Sequence, residues 1–172
     1  SQFELTSITT GTGYANPPSG NFISIRYKTT ANASFTTWTG SPFAASATAL
    51  PVTALGLAPG VYVTVVEINY GTVPAGFATS GTAGNKPKLM GVVSNPARDG
   101  TTVASGAVVN NSNTTLTADY SGSPLTPATA SASVTMALGT SVTKTSSAAS
   151  YDFGQSVIWR LRPQNTSGVT LD

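Results

Sequence analysis

Gly and Pro punctuate this chain so densely that little room is left for regular helix. Seventeen Gly and eleven Pro cut it into short pieces rich in Val, Ile, Thr, Phe and Tyr. Branched and aromatic side chains fit a pleated surface, and short runs of them between turn formers predict strands. Residues 22–28 show this most clearly. Ile23, Ile25 and Tyr27 fall on one face, and Ser24, Arg26 and Lys28 on the other, as a period of two requires. The Ser/Ala/Thr run of residues 140–151, free of Gly and Pro, has no apolar stripe at helical spacing and predicts a strand followed by a loop.

The same reasoning predicts about twelve strands. Residues 3–9 alternate through Phe3, Leu5 and Ile8, with an irregularity near Ser7. Residues 35–39 form a short strand carrying Trp38, and residues 48–55 another broken by Pro51. Residues 61–70 are apolar on both faces, which predicts a central or covered strand. Residues 71–87 are small and flexible in composition and read as a linker or long connection. Strands follow over 88–93, 101–110, 114–120, 130–138, 141–145 and 155–162, with a terminal edge strand at 169–171, an Asn-rich connection at 110–113 and a loop at 121–129. Strands at spacings of this order are expected of β-sandwiches.

Composition excludes more than it selects. Eight Lys or Arg stand against six Asp or Glu, and His and Cys are absent. No thiolate or imidazole is available as nucleophile, general base or zinc ligand, and no disulfide can form. The six acids, Glu4, Glu67, Asp99, Asp119, Asp152 and Asp172, are scattered, whereas a glycosidase needs two across a cleft. Calcium would want closely spaced acids, and none are found. A Ser nucleophile lacks its Gly-x-Ser-x-Gly elbow. No basic cluster interleaves with aromatics, so no nucleic-acid partner is expected. No apolar run approaches the roughly 18 to 20 residues of a membrane span. No catalytic residue, cofactor or metal is therefore assigned. With 49 Ser or Thr and only 8% charged residues, the surface is either hydroxyl-solvated or meant to be buried against neighbours. The opening Ser1-Gln2-Phe3 carries no Met. A removed secretory signal and a removed initiator Met are equal expectations.

Residues 21–71 resemble a fibronectin type III domain. The carrying residues are Ile23-Ser24-Ile25-Arg26-Tyr27-Lys28, then Phe35-Thr36-Thr37-Trp38-Thr39, then Leu57-Ala58-Pro59-Gly60, and then Tyr62 through Asn69 and Gly71. The resemblance implies that Tyr62 is a tyrosine corner, its hydroxyl bonding backbone where the sheet turns. This chain departs from the pattern in three ways. Tyr62 follows Leu57 one residue early, the family's early core Trp is missing, and only residues 3–9 form a strand ahead of Tyr27, where the family has two. The first sheet is therefore expected to lack a strand or to borrow one from a neighbouring subunit.

The expected fold is all-β, with two immunoglobulin-like β-sandwich domains. The first, residues 1–82, is fibronectin type III-like. The second, residues 83–172, is divergent. Tyr27, Trp38, Leu57, Pro59, Gly60, Tyr62 and Trp159 are expected to be structural, with both Trp residues packed in their sandwiches. Glu67, in an apolar strand, is expected to pair with Arg26 or Lys28. Four Asn-x-Ser/Thr sequons begin at Asn32, Asn110, Asn113 and Asn165, as chance predicts in so hydroxyl-rich a chain. The expected function is a non-enzymatic structural protein that self-assembles into a larger particle, most simply a virion component: a phage tail, decoration or capsid-associated protein. Phe3, Leu5, Val169 and Leu171, in the terminal segments, are its expected assembly contacts. Its partners would be copies of itself and other particle proteins, and its location virion or extracellular. One alternative is an extracellular filament or pilus subunit assembled by strand donation. Another is a carbohydrate-binding or adhesive module using Tyr14, Trp38, Tyr120, Tyr151 or Trp159.

Overall fold

The computed structural model describes residues 3–79, 82, 85–93, 106–135, 140–146, 150 and 159–165. Fourteen strands and one 3₁₀ turn are found among them, and no α-helix. All pairings are antiparallel and all sheets are small, an all-β architecture compatible with a β-sandwich. The chain parts into two compact units, Phe3–Ser94 and Asn95–Asp172.

The first unit contains β1 (Phe3–Thr9), β2 (Tyr14–Ala15), β3 (Ser24–Thr29), β4 (Thr36–Thr37), β5 (Leu50–Pro51), β6 (Val63–Asn69), β7 (Ala78–Thr79) and β8 (Lys88–Val93). One sheet has the order β5-β1-β8, another β4-β3-β6, and β2 pairs with β7. A single apolar cluster joins the first two sheets: Leu5 and Ile8 from β1, Ile25 and Tyr27 from β3, with Ile23 and Trp38 beside them. The alternation of residues 22–28 is realised in this packing. Ile25 and Tyr27 are buried, whereas Arg26 is exposed. The irregularity near Ser7 is a bulge, in which the register slips between Leu5 and Ser7 and the Thr6 hydroxyl donates to the Met90 carbonyl.

Several expectations are corrected. β8 pairs with β1 along Phe3–Thr9, so the first sheet gains its third strand from later in the same chain rather than from a neighbour. A boundary after residue 82 would strip the first unit of that strand. Two glycines show why β8 belongs there. A Cβ at Gly91 would overlap the Glu4 carbonyl and the Phe3 ring, and one at Gly11 would overlap the backbone of Asn85–Pro87. The Asn85 carbonyl accepts both the Thr12 and Gly13 N–H groups at 2.8 Å, which ties down the approach to β8. Of the two readings of residues 71–87, the described part fits a long connection within the first unit rather than a linker between domains. Phe77 stacks on Tyr14, and β7 pairs with β2. Residues 48–55 shrink to β5, because the chain leaves Pro51 into a 3₁₀ turn over Val52–Leu55. Finally, β6 is bonded to β3 alone among the described residues, so it is an edge strand rather than a central one.

In the second unit lie β9 (Val108–Leu116), β10 (Asp119–Tyr120), β11 (Ser123–Pro124), β12 (Ala128–Thr135), β13 (Thr140–Ser146) and β14 (Trp159–Asn165). They form three two-stranded pairs, β9 with β12, β10 with β11 and β13 with β14. Residues 110–113, expected to separate two strands, lie inside β9. The register shift opposite Ala130 and Ala132 absorbs the extra residue there. Part of the expected loop 121–129 is a tight hairpin, β10 and β11 joined through Ser121 and Gly122, both at positive φ. No residue of this unit whose side chain is described is buried.

Candidate functional site

The expected structural residues divide between the units. Tyr27 and Trp38 meet edge to face in the core, with ring centroids 5.7 Å apart, and Trp38 is 2% exposed. Leu57 packs half-buried against that core. Pro59 and Gly60 form the turn before β6. The Val61 N–H donates to the Ala58 carbonyl at 3.0 Å, and Gly60 takes φ 80°, which its missing Cβ permits. Tyr62 is bonded through its backbone: its N–H donates to the Thr30 hydroxyl and its carbonyl accepts the Thr30 N–H. Trp159 does not pack in a core. It is 56% exposed on β14, with Lys144 Nζ 4.5 Å above its ring.

The expected assembly contacts fare differently. Leu5 is a buried core residue, and Phe3 lies against Gly91 within its own sheet. Leu5 is thus spent inside the chain, whereas Phe3, beside β8 in the same sheet, remains 38% exposed. Val169 and Leu171 lie outside the described residues, as do Tyr151, Asp99, Asp152 and Asp172.

Tyr14 belongs to no planar platform. With Phe22, Tyr70 and Phe77 it makes a ring cluster, its centroid distances to the three being 5.4, 5.9 and 5.7 Å. Its hydroxyl donates to the Thr10 carbonyl. Burial first, and then the neighbouring Tyr70 hydroxyl, push the Tyr14 phenol well above its ordinary range. Such a cluster holds residues 70–79 onto the first unit through edge and stacked contacts. Asn32, the first sequon residue, turns its side-chain oxygen back to accept the Ser34 N–H at 2.9 Å.

The outer face of the β4-β3-β6 sheet carries the unit's most organised surface chemistry. Arg26 donates to the Glu67 carboxylate through Nε at 2.8 Å, the pairing expected of Glu67. Arg26 and Lys28 both stand over the Phe35 ring, at 5.0 and 4.5 Å from its centroid. Val65 lies opposite Lys28 in the ladder and is 44% exposed. The alternation of residues 22–28 already placed Arg26 and Lys28 on this face. Phe35 and Val65 carried no signal beyond their apolar character.

A cleft of about 250 Å³ opens beside the start of β6, lined among others by Glu4, Leu5, Val52, Leu57, Tyr62 and Val63. It is a gap between strands, with a single carboxylate. Among the described residues no three potential metal ligands gather, and no helix is long and apolar enough to cross a membrane. No protein-family model matches the chain, and neither a curated protein nor a solved structure matches it.

Proposed function

We propose that this chain is a non-enzymatic structural protein that self-assembles into a larger particle, most simply as a virion component. The observation that carries this reading is the second unit. Its three two-stranded pairs bury no described side chain, and Leu116, Val134, Leu161 and Trp159 are each more than half exposed. An isolated two-stranded hairpin is marginal in water and needs an apolar face covered. A surface with 8% charged residues supplies little repulsion to oppose that covering. Copies of the same chain, and other particle proteins, would provide it. The first unit is read as fibronectin type III-like. The core pair Tyr27–Trp38, the Leu57–Gly60 turn ahead of β6 and the facing β5-β1-β8 and β4-β3-β6 sheets support that layout.

Hydrogen exchange tests the reading alongside electron microscopy. In dilute protein, amides of β9, β12, β13 and β14 exchange quickly. In concentrated protein they become protected as regular particles appear on the grid. Equal, fast exchange at all concentrations, with a blank grid, would remove the proposal.

A further inference from the structure

Each three-stranded sheet of the first unit has two edges, and three of these four edges are blunted. β4 is two residues long, and residues 38–43 continue along that side of β3. β5 is two residues long and ends in Pro51. β8 carries Lys88 and Gly91. Short strands, Pro and Lys are the usual guards of an edge. β6 has none of them: seven residues, Val-Thr-Val-Val-Glu-Ile-Asn, without Pro, Gly or Lys. Its one charge is already paired, since Glu67 is bonded to Arg26.

Hydrogen bonding shows which groups of β6 are left over. The Ile25 N–H donates to Ser41 Oγ at 3.0 Å, and the Ile25 carbonyl accepts the Trp38 N–H at 2.9 Å. Ile23 likewise exchanges both its main-chain bonds with Phe43. These residues therefore aim their main-chain groups toward β4. In an antiparallel ladder, the residue opposite Ile25 must aim its own away from β3. That residue is Ile68 and, two places back opposite Tyr27, Val66. The N–H and C=O groups of Val66 and Ile68 face outward along an edge unpartnered among the described residues.

We propose that this edge pairs with the same edge of a second copy, two β6 strands running antiparallel about a two-fold axis at Val66. The inference rests on the assembly reading above and names its contact. Such isologous pairing is the commonest form of self-association. Centred on Val66, the register sets Val65 opposite Glu67 of the second copy and Thr64 opposite Ile68. One row of the outer face then reads Arg26, Glu67, Val65 of the second copy, Lys28 of the second copy, so the single carboxylate lies between two cations. Moving the axis to residue 67 would set Glu67 against its own copy, and like charges directly opposite each other are unfavourable. The continuous sheet would have six strands, β4-β3-β6 and their mates.

Three variants of the full chain test this by sedimentation velocity over a micromolar concentration series. Val65→Glu keeps the core intact and gains Lys28 opposite it within the chain, but faces Glu67 across the axis. It should weaken association by about tenfold, through two such pairs per dimer. Val65→Thr, neutral and strand-forming, should associate like the parent. The chain has no Cys, so Val66→Cys is a clean probe. The hydrogen-bonded pair at the axis sets the Cα atoms about 5.5 Å apart, within disulfide range, and mild oxidation should yield a covalent dimer. If the parent associates while Val65→Glu matches it, or while Val66→Cys fails to cross-link, pairing through β6 is overturned and assembly by other surfaces stands. If the parent remains monomeric and Val66→Cys does not cross-link, both readings fall.

Discussion

The two units are made of similar residues and use them in opposite ways. Both are Val, Thr and Ser strands with little charge. In the first, Leu5, Ile8, Ile23, Ile25, Tyr27 and Trp38 meet in one cluster, and Thr9 and Thr10 are buried with them. The Thr10 hydroxyl is satisfied there, donating to the Ala44 carbonyl at 2.9 Å and accepting the Ser46 N–H at 3.0 Å. In the second, apolar side chains stand on hairpins and meet solvent. The difference lies in pairing rather than composition. The first unit contains two three-stranded sheets that share a core, whereas the second contains only two-stranded pairs among its described residues. Three strands with a covered face are about the least that is independently stable.

Deleting one large ring from each unit should separate them most widely. Trp38→Ala removes a buried side chain and should cost about 3–5 kcal/mol, enough to unfold the first unit or nearly so. Trp159→Ala removes an exposed ring and its contact with Lys144, and should change stability in dilute solution by no more than about 1 kcal/mol. Urea denaturation of both variants, followed by circular dichroism, makes the comparison. Equal losses would mean that the units are not distinguished by burial.

That asymmetry was only half legible in the sequence. Strand character was readable wherever one face was buried, because burial imposes alternation: Ile23, Ile25 and Tyr27 gave both the strand and its orientation. The Glu67–Arg26 pair followed from a lone acid in an apolar strand beside a strand with cations. Trp159 misled because the period-two pattern of 157, 159 and 161 states that a face is apolar, not that anything covers it. The role of β8 was hidden for a different reason. Pairing between residues 3–9 and 88–93 is decided by long-range contacts, and neither strand carries a mark of its partner except Gly91, where the Phe3 ring leaves no room for a side chain. The open edge of β6 was hidden in the same way: an apolar strand reads as central until its neighbours are counted.

A smaller effect comes from the ring cluster around Tyr14 in the first unit. The folded protein holds the Tyr14 proton above the pH at which the unfolded chain releases it, near pH 10. Stability is therefore whole below about pH 10 and declines as pH rises beyond it, because the unfolded state then binds fewer protons than the folded one. Tyr14→Phe should lower stability at neutral pH by about 1 kcal/mol, through the lost bond to the Thr10 carbonyl. It should also flatten the alkaline decline. Thermal melts of both proteins between pH 8 and about 11 would show this, and parallel slopes would count against it.

The smallest effects should fail to tell the units apart. Arg26 and Glu67 form an ion pair whose side chains are 48% and 32% exposed. Lys144 stands over Trp159, also at the surface. Exposed ion pairs contribute about 0–1 kcal/mol and exposed cation–ring contacts about 0.5–1 kcal/mol. Glu67→Gln and Lys144→Gln should therefore each shift the urea midpoint only slightly, and the Glu67 effect should shrink further in high salt because the pair is screened. A loss above about 2 kcal/mol from Glu67→Gln would mean that the pair is desolvated, as it would be at the centre of a β6-paired dimer. Repeating the melt at low and high protein concentration separates the two cases, since only a pair desolvated by association becomes more costly to break as the concentration rises.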